Sequence, residues 1–262
     1  MTSPHPKRTS PPAPAVAKAV EILDYLANRN SEAGVSVIAA AIGMNKSTCY
    51  NILQTLAGES MVVKDSRFPV YRLGPRLVEL GTASRRQLSH RDQVGEAVRP
   101  LVETSGLTCA IAVPLPGDRG TIIVDRVIPR RADAMSVAIG YVASITAPAM
   151  GRVVLATRDI DEVLSHIRNF PDVDEATLLG LVDSLDTVRE KGFGWSDSEF
   201  QPGTNAVAAP ILNADREIAL VLCLVGDAAH FPSDKIDEYG LALVEIAKQI
   251  EARTVREGLS LS

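Results

Sequence analysis

One stretch of the sequence, residues 46–56, combines an apolar helix face with a face of short hydrogen-bonding side chains. Its apolar residues recur at i, i+3, i+4 and i+7, which predicts an amphipathic helix: Cys49, Ile52, Leu53 and Leu56. The opposite face carries Lys46, Ser47, Tyr50, Asn51 and Gln54. Side chains of these types can bond to base edges in the major groove of DNA and to its phosphates. The alternative is that this face only contacts water, as the polar face of an amphipathic helix generally does.

The elements that must position this helix favour the DNA interpretation. Apolar spacing predicts a helix over 15–28 and a second one from about Gly34 to Gly43. Asn45 is then placed to cap the start of the helix that follows. Two short helices joined by a glycine-containing turn are typical of a helix-turn-helix.

A β-hairpin is predicted directly after this unit. The β-rich runs 61–64 and 70–73 flank a turn-prone segment, and a hairpin at that place would act as a wing. Arg67 at its tip would contact a phosphate or the minor groove, unless it is simply solvated. Tyr71, on the second run, is a further candidate DNA contact.

The 262 residues carry a net charge of −5 that is divided unevenly along the chain. Up to Arg91 there are 12 Lys and Arg against 6 Asp and Glu, a net charge of +6. From Asp92 onward there are 15 against 26, a net charge of −11. Such asymmetry indicates a nucleic-acid-binding end joined to a different, acidic end.

Several classes of protein are excluded by the same sequence. The three cysteines are far apart and have no CxxC spacing, which argues against a disulfide framework or a zinc ribbon. The longest apolar run, 218–225, is too short to span a membrane. Residues 1–14 are rich in proline and have no signal-peptide core, so we expect a disordered tail and a cytoplasmic protein. Metal-ligand spacing, nucleotide fingerprints and catalytic clusters are absent from the sequence, so no metal, cofactor or catalytic residue is predicted.

The second part of the chain mixes helices with strands. Apolar patterns predict helices over 75–89, 93–104, 148–157, 160–168, 175–191 and 234–254. Alternation and β-branched runs predict strands over 108–113, 121–127, 134–138, 193–196, 206–212 and 218–225. Runs of hairpin strands between helices indicate an α+β fold with an antiparallel sheet rather than a doubly wound parallel sheet.

Five stretches, in this order and spacing, resemble the IclR family of bacterial transcriptional regulators. They are AVAKAVEILDYLA at 15–27, GMNKSTCYNILQTL at 43–56, YRLGPRLVELG at 71–81, APAMGRVVLA at 147–156 and EFQPGTNAVAAPI at 199–211. The resemblance implies a winged helix-turn-helix over 15–74 and a linker helix over 75–91 that supports dimerisation. It also implies a GAF-like domain over 92–262 that binds a small organic effector and oligomerises. The implied partners are a palindromic double-stranded operator of catabolic genes and further copies of the chain, in a homodimer or homotetramer.

The resemblance also assigns residues to two sites. Lys46, Ser47 and Thr48 fall at the family's start of the recognition helix, and Tyr50 and Asn51 fall at its base-reading positions. The effector pocket falls on Met135, Thr146, Ala149, Met150, Ser196, Asn205, Ala206, Cys223 and Val225.

The pocket positions differ in chemistry from those usual in the family. Thr146 replaces a common His or Tyr, Ser196 replaces a common acidic residue, and Asn205-Ala206 replaces an Arg-Cys pair. Cys223 and Val225 replace small hydroxyl residues. Because each exchange removes charge or polarity, we expect a more apolar ligand.

The run MGRVVLA is similar to the family branch that senses aromatic acids. We therefore expect an aromatic or hydrophobic catabolic intermediate, with or without a carboxylate. Arg152 is the candidate partner of such a carboxylate, and the alternative is that it faces solvent. Two other functions stay open: a DNA-binding protein whose acidic half only oligomerises around a collapsed pocket, and, more remotely, a small-molecule enzyme.

Overall fold

The computed structural model describes residues 13–29, 31–87, 91–167 and 175–257. The chain divides into two compact units, residues 1–87 and 88–262. Most of the predicted tail lies outside the described residues, but Pro14 already begins the first helix, at a position where proline is well tolerated. None of the described helices is both long and apolar enough to cross a membrane.

The first unit is a winged helix-turn-helix, as predicted. Its helices are α1 (Pro14–Ala27), α2 (Val35–Ala41), α3 (Lys46–Gly58) and α4 (Arg76–Gln87). Its strands are β1 (Ala33–Gly34), β2 (Val62–Lys64) and β3 (Val70–Leu73), which form an antiparallel sheet in the order β1-β3-β2. The core between the helices and this sheet includes Ile22, Ile38, Cys49, Leu53 and Tyr71, each at most 1% exposed.

The second unit is a six-stranded antiparallel sheet with helices on both faces. The strands are β4 (Thr108–Pro114), β5 (Thr121–Val127), β6 (Val142–Ala143), β7 (Gly194–Asp197), β8 (Thr204–Leu212) and β9 (Ile218–Asp227). Their order in the sheet is β6-β5-β4-β9-β8-β7. The helices are α5 (Arg91–Ser105), α6 (Pro148–Ala156), α7 (Ile160–Ile167), α8 (Glu175–Lys191) and α9 (Ile236–Glu257).

The two faces of this sheet differ in the size of their side chains. One face packs large residues such as Ile111, Val207 and Leu222 against α5 and α9. Because side chains alternate along a strand, the neighbouring positions point to α6 and α8. These positions hold mainly small side chains: Ala110, Ala112, Ala206, Ala208 and Cys223.

The strand predicted over 134–138 is wrong. This segment has no ladder partner, and side chains of the sheet bond to it instead: Thr108 Oγ1 donates to the Met135 carbonyl, and Arg126 Nη1 donates to Ser136 Oγ at 2.8 Å and to the Val137 carbonyl. The pairing with β5 is made by β6, a few residues further on. The segment 134–138 is therefore an irregular strap that side chains of β4 and β5 hold against the sheet.

Candidate nucleic-acid interface and ligand pocket

The start of α3 is fixed by its N-cap. Asn45 Oδ1 accepts hydrogen bonds from the Ser47 amide at 2.8 Å and from Ser47 Oγ at 2.7 Å. The first bond satisfies one of the amide donors that a helix N-terminus leaves without an intrahelical acceptor. The predicted cap is confirmed, and it sets where the exposed face of α3 begins.

The candidate DNA contacts on α3 form an exposed surface. Five of the six side chains are exposed: Lys46, Ser47, Tyr50, Asn51 and Gln54. Thr48 is half-buried. The opposite face holds Cys49, Leu53 and Leu56 in the core, so α3 exposes an ammonium, a hydroxyl, a phenol and two amide groups.

Tyr71 does not belong to this surface. Its side chain is 1% exposed, and its hydroxyl accepts a hydrogen bond from Gln54 Nε2 at 2.9 Å. The prediction that Tyr71 contacts DNA is corrected, because residues alternate along β3 and this one points into the core. Its hydroxyl instead holds the Gln54 amide in place on α3.

The tip of the wing is a tight turn organised by Asp65. Asp65 Oδ1 accepts from the amides of Arg67 at 2.7 Å and Phe68 at 2.8 Å. These bonds favour the ionised carboxylate and hold the pKa of Asp65 below its usual value. Arg67 is exposed at this tip, beside a turn whose shape does not depend on the arginine side chain.

The second unit contains a cavity of about 520 Å³ between the sheet and the first turn of α6. The sheet contributes Ala110, Ile123, Ala206, Cys223 and Val225. Three other parts of the chain complete the walls, together with Ala143 of the edge strand β6: residues 135–138 of the strap with Tyr141, residues 147–150 at the start of α6, and a loop before β8 with Phe200 and Gln201. The small side chains on this face of the sheet leave the space open.

Seven of the nine predicted effector residues line this cavity. They are Met135, Ala149, Met150, Ser196, Ala206, Cys223 and Val225. Thr146 does not line it, and its hydroxyl lies 2.9 Å from Ser144 Oγ ahead of α6. Asn205 does not line it either: it is fully buried, its Oδ1 accepts from the Ser198 amide at 2.8 Å and its Nδ2 donates to the Phe231 carbonyl at 2.9 Å. Asn205 thus joins two loops and does not face a ligand.

Several lining residues were missed from the sequence. Ala110 was detectable, because strand alternation and its register opposite Cys223 place the two on one face. Tyr141, Phe200 and Gln201 come from turns and loops, where no periodic pattern marks a direction. Thr204 is the first residue of β8 and precedes the strand predicted over 206–212.

Arg152 has a different role from either one expected. It is 7% exposed, so it does not face solvent, and it is absent from the cavity walls among the described residues. Its guanidinium forms a bidentate pair with Glu199, at 2.9 Å and 2.7 Å, and donates to the Trp195 carbonyl at 2.6 Å. The guanidinium also lies 5.1 Å from the centre of the Trp195 ring. Arg152 therefore fastens the loop that carries Phe200 to α6.

The thiol of Cys223, on the cavity wall, stays protonated and unreactive at neutral pH. Burial raises the pKa of Cys223 to about 12, and it raises the pKa of Cys109 on the next strand as well. Cys223 is therefore an uncharged, apolar contact at neutral pH. Within the described parts of the chain, no three His, Cys, Asp or Glu residues lie together in a way that could hold a metal ion.

Comparison with protein families identifies the two domains that contain the exposed face of α3 and the cavity. The IclR helix-turn-helix domain matches residues 15–66, and the C-terminal domain of bacterial transcriptional regulators of the IclR type matches residues 83–252. The chain belongs to the IclR family. It is therefore a DNA-binding transcriptional regulator, and the expected resemblance is confirmed.

Individual IclR-family proteins match along nearly their whole length. The acetate operon repressor of Salmonella typhimurium is 26% identical over 90% of this chain and 88% of its own length. The transcriptional repressor IclR of Escherichia coli is 26% identical over 95% of this chain and 97% of its own length.

Solved IclR-family structures have the same fold. The regulator from Alicyclobacillus acidocaldarius superposes with a TM-score of 0.74 at 27% identity, covering 92% of this chain and 98% of its own. The regulator from Brucella abortus has a TM-score of 0.82 at 24% identity, covering 92% of both chains. The α+β fold with an N-terminal helix-turn-helix and a C-terminal antiparallel sheet is thus confirmed.

Proposed function

We propose that this regulator is ligand-responsive: α3 and the wing bind operator DNA, and the cavity binds a small organic effector that changes operator affinity. The observation that carries the proposal is the cavity itself, since about 520 Å³ lies within the usual range for small-molecule sites. The acetate operon repressor among its relatives supports a catabolic operon as the target. We place the regulator in the cytoplasm with the chromosome and assign it no catalytic role and no cofactor.

The cavity walls indicate an apolar ligand with few polar groups. None of the lining residues that the structure describes carries a charged side chain. Hydroxyl and amide groups come from Ser136, Tyr141, Ser196, Gln201 and Thr204. Apolar walls supply affinity and a few polar groups supply orientation.

A carboxylate on the ligand would be held by the first turn of α6 and not by Arg152. The amides of Ala149 and Met150 lie in that turn, where the helix itself offers them no acceptor. Both residues line the cavity. Amides at a helix N-terminus bind anionic groups without a basic side chain, so the effector is an apolar body with one acceptor or carboxylate at its end.

A symmetric assembly completes the proposed function. A palindromic operator is bound by two copies of α3 related by a two-fold axis. Val78 on α4 is 72% exposed, and Leu80, on a different side of the same helix, is 40% exposed. We place a second copy of the chain against α4 in a homodimer or homotetramer. The effector then acts by favouring one arrangement of the copies over another, because a ligand shifts an equilibrium only through its different affinity for the two states.

Filling the cavity tests the ligand response. Ala206→Leu places a larger side chain on the cavity floor, and we expect it to abolish the response to any effector while operator binding persists. The measurement is calorimetric titration of the full chain with aromatic acids, followed by operator binding with and without each ligand that binds. A coupling free energy of about 1–3 kcal/mol corresponds to a change of about 5- to 150-fold in operator affinity.

The alternative, a C-terminal unit that only oligomerises, makes the opposite prediction. It requires that none of these ligands changes operator affinity in the unaltered chain. A response that survives in the Ala206→Leu variant would also contradict the proposed pocket.

The exposed face of α3 is tested on operators selected from random-sequence DNA. We expect Asn51→Ala and Tyr50→Ala to lower the discrimination between operator and unrelated DNA by about 1–3 kcal/mol for each good base contact that the substitution removes. Arg67→Ala serves as the contrast, because removal of a phosphate contact should weaken binding to all sequences and reduce the salt slope by about 1. Binding titrations at several salt concentrations measure both effects. An Asn51→Ala variant with unchanged operator specificity would show that α3 docks differently.

A further inference from the structure

Two aromatic side chains border the cavity while staying partly exposed. Tyr141 is 44% exposed and Phe200 is 55% exposed, and both line the cavity. One exposed ring needs no explanation, because single apolar residues are common on protein surfaces. Two rings that border one cavity, in a chain with 11 aromatic residues in all, form a surface that a ligand can cover.

The backbone that carries each ring is held independently of the ring. The Ile123 amide donates to the Tyr141 carbonyl at 2.9 Å, and the Tyr141 amide donates to the Ala138 carbonyl at 3.2 Å. The Phe200 amide donates to Ser196 Oγ at 3.3 Å, and the residue before it is fixed by the pair with Arg152. A ligand that meets these rings therefore has little backbone left to order on binding, which reduces the entropy cost.

The rest of the lining suits an aromatic ring better than a charged or strongly polar group. Met135 and Met150 line the cavity, and thioether sulfurs make favourable contacts with aromatic ring edges. Ala110, Ala206 and Cys223 leave a flat floor of small side chains. Offset or edge-on contacts between aromatic rings add to the energy of area burial, and a saturated ring cannot make them.

We infer that Tyr141 and Phe200 select a planar aromatic ring over a saturated ring of the same size. This inference rests on the proposed ligand-responsive function and names the ligand class of the same cavity. Burial of apolar area alone would favour the saturated ring, which has the larger apolar surface. A preference for the aromatic ring is therefore the signature of contact with Tyr141 and Phe200.

Matched pairs of ligands test the inference on the full chain. The pairs are benzoate with cyclohexanecarboxylate, and benzyl alcohol with cyclohexylmethanol, each measured by isothermal titration calorimetry. We expect the aromatic member of at least one pair to bind about tenfold more tightly, as two aromatic contacts would give. Phe200→Leu and Tyr141→Leu should reduce that preference while leaving the affinity for the saturated member within about twofold, and Tyr141→Phe should retain it.

Leu179→Ala is the matched control, because Leu179 is also 55% exposed but does not line the cavity. This variant should change the affinity for neither the aromatic nor the saturated member of a pair. Equal binding of both members, equal weakening of both by Phe200→Leu, or binding of none of the four compounds would overturn the inference. The proposed function fails separately, when no ligand of any class alters operator affinity.

Discussion

Glu199→Ala is expected to destabilise the C-terminal unit by about 3 kcal/mol, the lower end of the cost of breaking a buried ion pair. The guanidinium of Arg152 is the reason, because its side chain is 8% exposed and would lose both bonds to the carboxylate. Its bond to the Trp195 carbonyl would remain but cannot neutralise the buried charge. The lower end applies because the Glu199 side chain is 38% exposed, so water can partly replace it.

Glu162→Ala is the matched control for this prediction. Glu162 pairs with Arg158 at 3.2 Å on the surface, where its side chain is 59% exposed. Exposed pairs of this kind contribute about 0–1 kcal/mol. Urea denaturation of the full chain should separate the two variants clearly, and equal midpoints would show that the pair with Arg152 does not stabilise the fold.

Gly151→Ala is the second variant for which we expect a large loss of stability. A Cβ atom at this position would lie 2.0 Å from the Ile145 carbonyl oxygen and 2.7 Å from its carbon, which are backbone atoms that cannot rotate away. The start of α6 must shift, at a cost of about 3 kcal/mol, the upper end of the range for overpacking. Because this turn lines the cavity, effector affinity should fall together with thermal stability.

Gly180→Ala distinguishes this steric effect from the general effect of alanine in a helix. Gly180 lies inside α8, and a Cβ there meets no atom within 4 Å. We expect a gain of about 0.5–1 kcal/mol, since alanine restricts the unfolded chain and favours the helix. The same scanning calorimetry measures both variants, and opposite shifts of the midpoint are the expected result. A stabilised Gly151→Ala protein would contradict the close approach of α6 to Ile145.

Local patterns predicted the regular elements well. The strand over 121–127 and the helix over 175–191 have the predicted bounds, because alternation and helical spacing act over many residues. The cap at Asn45 was predicted equally well, because its hydrogen-bond partner is close in sequence. Both donors, an amide and a hydroxyl, belong to Ser47, two positions away. The strands β1 and β6 were missed because two residues are too few to show the apolar–polar alternation that predicts a strand.

Features that depend on distant side chains were not predictable in this way. Arg152 and Glu199 are 47 positions apart, and neither position has a local signal for the other. The strap over 134–138 has the residue pattern of a strand, but its carbonyls bond to side chains of β4 and β5, which a local pattern does not reveal. Tyr71 differs from these cases, because alternation along β3 already places its side chain on the core side, where its hydroxyl accepts from Gln54.

The unequal faces of the C-terminal sheet have a consequence for how this regulator evolves. The large residues against α5 and α9 carry most of the packing, whereas the floor of the cavity is built from alanine and cysteine. A mutation on the floor changes the shape offered to a ligand but disturbs little of the close packing. The fold thus separates the residues that maintain stability from those that set effector choice. A single substitution on the floor can therefore change effector choice at a smaller cost in stability than one on the face that packs against α5 and α9.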